Sequence, residues 1–155
     1  MTWGVCTLGG AANPIAPRAA WQQTPVREGL PEMSVVRVLL VDDQAPFLRA
    51  MSSVVREAAG FEVVGEASSG EESIVAVAEL LPDLVLMDVN LPGIDGMEAT
   101  RRLRGGESPP VVLLLSTYDE DVGVRFVAES GAAAYVAKSV FDPVLLWEVW
   151  TAASK

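Results

Sequence analysis

The chain has 155 residues, 50% of them hydrophobic, which suits one domain with a sizeable core and argues against disorder. With 21 acids against 11 bases its net charge is -10, so direct nucleic-acid binding by this chain is not expected. The absence of histidine excludes a histidine base, a histidine metal ligand and a phosphohistidine relay on this chain, while a single cysteine, Cys6, excludes an intrachain disulfide and fits a reducing, cytoplasmic compartment.

Residues 1–32 differ from the rest, with scattered Gly and Pro and no sustained period. They read as a flexible extension without the basic-then-apolar order of a signal peptide. Met33, ahead of a clean strand, raises a second reading in which translation starts there and the extension is a reading-frame artefact. The domain proper then spans 33–155.

From Val35 the pattern turns regular. VVRVLLV is a β-branched run that ends at Asp42 and Asp43. Phe47, Met51, Val54, Val55 and Ala58 recur at helical spacing until Gly60. FEVVGEAS predicts a second strand. Ile74, Ala78 and Leu81 predict the buried stripe of a second helix, opened by Ser69-Gly70-Glu71 and closed by Pro82. LVLM is a third strand, buried on both faces, which runs out at Asp88. Met97 to Leu103 predicts a short helix and GGESPP a loop. VVLLL is a fourth strand ending in Ser116. Thr117 with Glu120 has the spacing of a capping box for a fourth helix, which Gly131 ends. AAAYVA predicts a fifth strand ending at Lys138. Asp142-Pro143 then opens a helix with Leu146, Val149, Trp150 and Ala153 as its buried stripe. Trp147 lies three residues before Trp150, about 60° round the wheel. It either widens that stripe or stands as a surface aromatic for a partner. No apolar run approaches the ~18 residues of a membrane span.

Five strands alternating with helices imply an α/β fold with a parallel sheet and right-handed crossovers. All the strand ends then share one edge, where open α/β sheets bind ligands. Asp42, Asp43, Asp88, Ser116 and Lys138 are thereby brought together. Three carboxylates without a counter-charge repel, and their convergence makes sense around a divalent cation. Oxygen ligands with no His point to a hard ion, Mg²⁺ foremost. Asp88 can act as a nucleophile toward a phosphoryl group, with Lys138 offsetting charge and Ser116 donating a hydrogen bond. Taken singly, each has a plainer role: Asp42, Asp43 and Ser116 as helix caps, Asp88 as a turn residue, Lys138 as a surface lysine.

RVLLVDDQ, LVLMDVNLPGIDGMEATRRLR, LLLSTYDED and GAAAYVAKS resemble, in order and spacing, the receiver domains of two-component response regulators. The resemblance covers Val35 to about Ala153 and is greatest with receivers that usually carry a helix-turn-helix output. It implies a flavodoxin-like (βα)5 fold, with a five-stranded parallel sheet of order 2-1-3-4-5 and helices on both faces. It implies phosphorylation of Asp88 by a sensor histidine kinase. Mg²⁺ would be held by Asp43, Asp88 and the Asn90 backbone carbonyl, with Asp42 acting directly or through water. Ser116 and Lys138 would grip the phosphoryl group, and Tyr135 would turn inward when Ser116 moves. The side chains of Asn90 and Tyr118 would tune phosphoryl lifetime. The fourth helix, fifth strand and fifth helix (the α4-β5-α5 face) would signal to a homodimer partner or to a C-terminal DNA-binding output domain, which this chain does not include. One departure is Ser139, where many receivers carry a cis proline after the lysine.

Rival readings fare worse on the residues. A flavodoxin-type cofactor binder needs a Ser/Thr/Gly-rich cradle where this chain has DDQAPF. GxxxxGK[ST] and GxGxxG are both absent. An aspartyl phosphatase wants an acid two residues after its nucleophile, and that position is Asn90. The remaining alternative is a receiver fold used for protein interaction without phosphorylation.

Overall fold

The expected strands form where β-branched and leucine-rich runs can be buried on both faces. The computed structural model describes residues 34–154 except 118 and 119. The extension and the side chain of Tyr118 lie outside the described residues, as does the Glu120 half of the capping box expected at Thr117. The strands are β1 (Val36–Val41), β2 (Phe61–Ala67), β3 (Leu84–Asp88), β4 (Val111–Ser116) and β5 (Ala134–Ala137). The helices are α1 (Ala45–Glu57), α2 (Gly70–Leu80), α3 (Gly96–Arg104), α4 (Glu120–Ser130) and α5 (Pro143–Ala153). All strand pairs are parallel, in the order β2-β1-β3-β4-β5.

Alternate residues of each strand feed two cores. Val38, Leu40, Leu86, Leu113 and Leu115 pack with Met51 and Val55 of α1 and Leu146 of α5. Leu39, Val41, Val85, Met87 and Leu114 pack on the other side with Met97 and Leu103 of α3, joined by Ile74 and Val77 of α2 and Phe126 of α4. The sheet is thus covered on both faces, as burial of continuous apolar strands demands.

Local chemistry sets the helix ends. Ser69 accepts a hydrogen bond from the Glu72 N–H at 3.0 Å, Asp95 from Glu98 at 2.8 Å and Asp142 from Leu145 at 2.8 Å. The stripe expected on α2 needs correction. Leu81 is the C-cap, with φ of 51° and 64% exposure, and Ala78 is also exposed. Ile74 does face the core as expected, but Val77 and Leu80 join it in place of Ala78 and Leu81, and the helix closes one residue earlier than Pro82 suggests. On α5, Trp147 is 57% exposed and does not widen the buried stripe. Trp150 does turn inward, edge-on to Phe61 at 6.5 Å.

Candidate functional site

β1 and β3 are adjacent, with Val41 paired to Met87, so their next residues, Asp42 and Asp88, emerge side by side. β4 follows on the other side of β3, pairing Leu115 with Asp88, and Ser116 in turn pairs with Ala137 just before Lys138. The parallel register thus gathers residues far apart in sequence at one edge. Asp42, Asp88 and Ser116 are all buried, whereas Asp43 is exposed.

The two buried acids share one ammonium. Lys138 Nζ lies 2.8 Å from Asp42 Oδ2 and 3.2 Å from Asp88 Oδ1. On another side the ammonium meets the ring of Phe47, 3.8 Å from its centroid. Burial, and then the charge of Asp42, push the Asp88 carboxyl up from 3.8 to about 6; Lys138 and the Asn90 N–H pull the other way. Asp42 does not cap α1 through its side chain. Its Oδ1 accepts the Gln44 N–H at 2.9 Å, two residues on, and the Gln44 N-cap has no side-chain cap bond.

Asp42, Asp43 and Asp88 each offer an oxygen, all within 4.8 Å of one another. Three carboxylates against one ammonium leave the cluster strongly negative at neutral pH. Oδ2 of Asp42 is buried without a hydrogen bond, and its ion pair with Lys138 lacks hydrogen-bond geometry. An oxygen-only donor set, more negative charge than the single ammonium of Lys138 offsets and an opening at Asp43 fit a hard divalent cation such as Mg²⁺.

The loop beyond β3 is held from two sides. The first α3 residue, Gly96, packs on the backbone that leaves β3: a Cβ there would clash with the Asp88 carbonyl oxygen and stand 2.9 Å from Asp88 C. Its N–H donates to the Val89 carbonyl at 2.8 Å. From α2, Glu71 Oε2 accepts the Ile94 N–H at 3.1 Å; a bond from its own N–H, and then that from Ile94, lowers its pKa. Gly93 lies under this carboxylate with φ of +73°. Its lack of Cβ permits both the turn and the close approach. Asn90, within this loop, is exposed.

Each described site residue predicted from sequence therefore lies at or beside this edge except Tyr135, which belongs to the layer behind it. Tyr135 is half-buried on β5, with its ring edge-on to Phe126 of α4 at 6.4 Å. Tyr118 cannot be placed among the described residues. Sequence reading missed two partners. Phe47 reads as one more apolar position on α1, though it is the first large one after the paired acids. Glu71 reads only as the start of α2. No cis peptide occurs among the described residues, so Lys138–Ser139 is trans.

Residues 38–149 match the family of the response regulator receiver domain. Among similar curated proteins, response regulator GacA of Pseudomonas viridiflava is 40% identical over 104 residues, 67% of this chain and 49% of that protein. Transcriptional regulatory protein LiaR of Bacillus subtilis is 36% identical over 105 residues, 68% of this chain and 50% of that one. The chain spans about half the length of these relatives. Among solved structures, the receiver domain of the putative response regulator NarL from Mycobacterium tuberculosis superposes with a TM-score of 0.71 at 30% identity, covering 78% of this chain and 98% of that one.

Proposed function

Because this chain belongs to the response regulator receiver domain family, we propose that it is a phosphorylation-controlled switch of a two-component system. A sensor histidine kinase, or a small donor such as acetyl phosphate, supplies the phosphoryl group, and Asp88 accepts it. The single observation that carries this reading is Lys138 bridging Asp42 and Asp88 at the strand ends, beside a cluster of three carboxylates. No described helix is long and apolar enough to cross a membrane.

A carboxylate oxygen of Asp88 attacks phosphorus while the bond to the donor breaks; from phosphohistidine, the imidazole leaves and takes up a proton. Asp42, Asp43, Asp88 and the Asn90 carbonyl would hold Mg²⁺, whose charge, when bound, offsets that of the acids and of the phosphoryl oxygens. Lys138 meets one phosphoryl oxygen and Ser116 donates a hydrogen bond to another. Attack by water later releases phosphate and restores the carboxylate. Asn90 and Tyr118 would tune the lifetime of the group.

Ser116 and Ala137 are register partners, and Tyr135 lies two residues before Ala137. A phosphoryl group that draws Ser116 inward favours one of two positions of Tyr135, and so one state of the α4-β5-α5 face. This face would engage a second copy or a C-terminal DNA-binding output domain. Val124 at 70% exposure, Val144 at 65% and Trp147 at 57% give it an apolar surface. Mass spectrometry after acetyl phosphate treatment tests the core of the reading. One phosphoryl group is expected, absent from Asp88→Asn and from wild type in chelator. Equal labelling of Asp88→Asn would reject Asp88 as the acceptor.

A further inference from the structure

Phe47 stands on the first turns of α1, and its ring face meets the ammonium of Lys138 at 3.8 Å. The Lys138 side chain is only 11% exposed, and its ammonium touches Asp42 and Asp88 on its other sides. We propose that Phe47 is a positioning residue for Lys138, holding its ammonium by a cation–π contact so that it stays within reach of a group on Asp88. The inference rests on the phosphoacceptor reading above.

The physical need is specific. A lysine stem is long and has many rotamers, and its ammonium is strongly hydrated. Two carboxylates alone bind the ammonium where they are, which opposes its transfer to a phosphoryl oxygen. A ring face attracts the cation without fixing the direction of its N–H bonds. The ammonium can therefore turn from carboxylate to phosphoryl oxygen while remaining over the ring. Phe47 also covers a side through which water would otherwise compete.

The chain has only two lysines, Lys138 and Lys155, so labelling lysine with ¹³C and ¹⁵N gives a nearly assigned spectrum. In wild type the ε-methylene signal of one lysine should be displaced upfield by the ring current of Phe47. Phe47→Leu should abolish that displacement and slow phosphorylation by acetyl phosphate at saturating Mg²⁺ by about three- to ten-fold. Phe47→Trp should recover most of the rate. Pentafluorophenylalanine at position 47 keeps the ring shape but reverses its quadrupole, and should behave like leucine. On a Lys138→Ala background, Phe47→Leu should have no further effect, whereas a purely structural role would slow both backgrounds alike. A wild-type rate in Phe47→Leu, or in the pentafluoro variant, overturns the proposal while leaving Asp88 as acceptor. Failure of wild type itself to take up a phosphoryl group overturns both.

Discussion

Gly123, at the end of the first turn of α4, is the seat of the Tyr135 ring. A Cβ on Gly123 would run into the ring and stand 2.6 Å from Cε2, closer than any real side chain tolerates. Glycine inside a helix costs roughly 0.5–1 kcal/mol relative to alanine, so its presence needs a local reason. Here the reason is the close approach of an aromatic from β5, which Phe126 meets edge-on one turn further along α4.

Gly123→Ala should therefore displace Tyr135, with overpacking of about 1–3 kcal/mol set against the gain in helix propensity. NMR of ring-labelled tyrosine should show a moved Tyr135 signal. Because the seat on α4 is lost, beryllofluoride should bind the variant more tightly than wild type. An unmoved ring signal would show that the contact is looser than the structure has it.

Asp88 makes stability depend on pH in the absence of a cation. Its pKa rises from 3.8 to about 6 on folding, mainly through burial and then Asp42. Between those values the folded chain binds more protons than the unfolded one, so stability falls as pH rises through the window and does not recover above it. Asp88→Asn removes the penalty and should be more stable than wild type by roughly 1–3 kcal/mol at pH 7.5. The gap should close below about pH 4, when both forms are neutral at this position. Denaturant titrations in chelator at several pH values measure it; a gap that does not change with pH would refute the assignment. Millimolar Mg²⁺ should narrow it by binding wild type.

Metal affinity should separate side-chain from main-chain ligation. Asp43→Ala removes an exposed carboxylate from the cluster, whereas Asn90→Ala keeps the backbone carbonyl. Calorimetric titration with Mg²⁺ should show the larger loss, about ten-fold or more, at Asp43→Ala. The reverse ranking would make the Asn90 side chain a ligand.

Trp147 offers the cleanest test of the signalling face, because its removal leaves the core intact. At 57% exposure, Trp147→Ala should change stability by no more than about 0.5 kcal/mol. Beryllofluoride should still alter amide exchange along Val144 to Ala153 in this variant, while association with a second copy or an output domain weakens. Exchange changes confined to the loops at Asp43 and Asp88 would place the switch elsewhere.

By itself the sequence determined the alternation of strands and helices, because apolar runs bounded by Gly, Pro and capping residues carry that signal locally. It also determined which side chains meet at one edge, since a βα repeat forces every strand to point the same way. Asp42, Asp88, Ser116 and Lys138 were legible for that reason, and the strand order followed from family resemblance. Only the tertiary structure decided what periodicity leaves undetermined. The α2 stripe moved because Leu81 adopts a left-handed cap at φ of 51°, a local choice invisible to a 3.6-residue count. Spacing put Trp150 in the buried stripe of α5, where it meets Phe61, but left both places open to Trp147, which packing leaves 57% exposed. The contacts of Phe47 with Lys138, Glu71 with Ile94 and Gly123 with Tyr135 join different elements. They arise from interatomic distances that no spacing along the chain encodes.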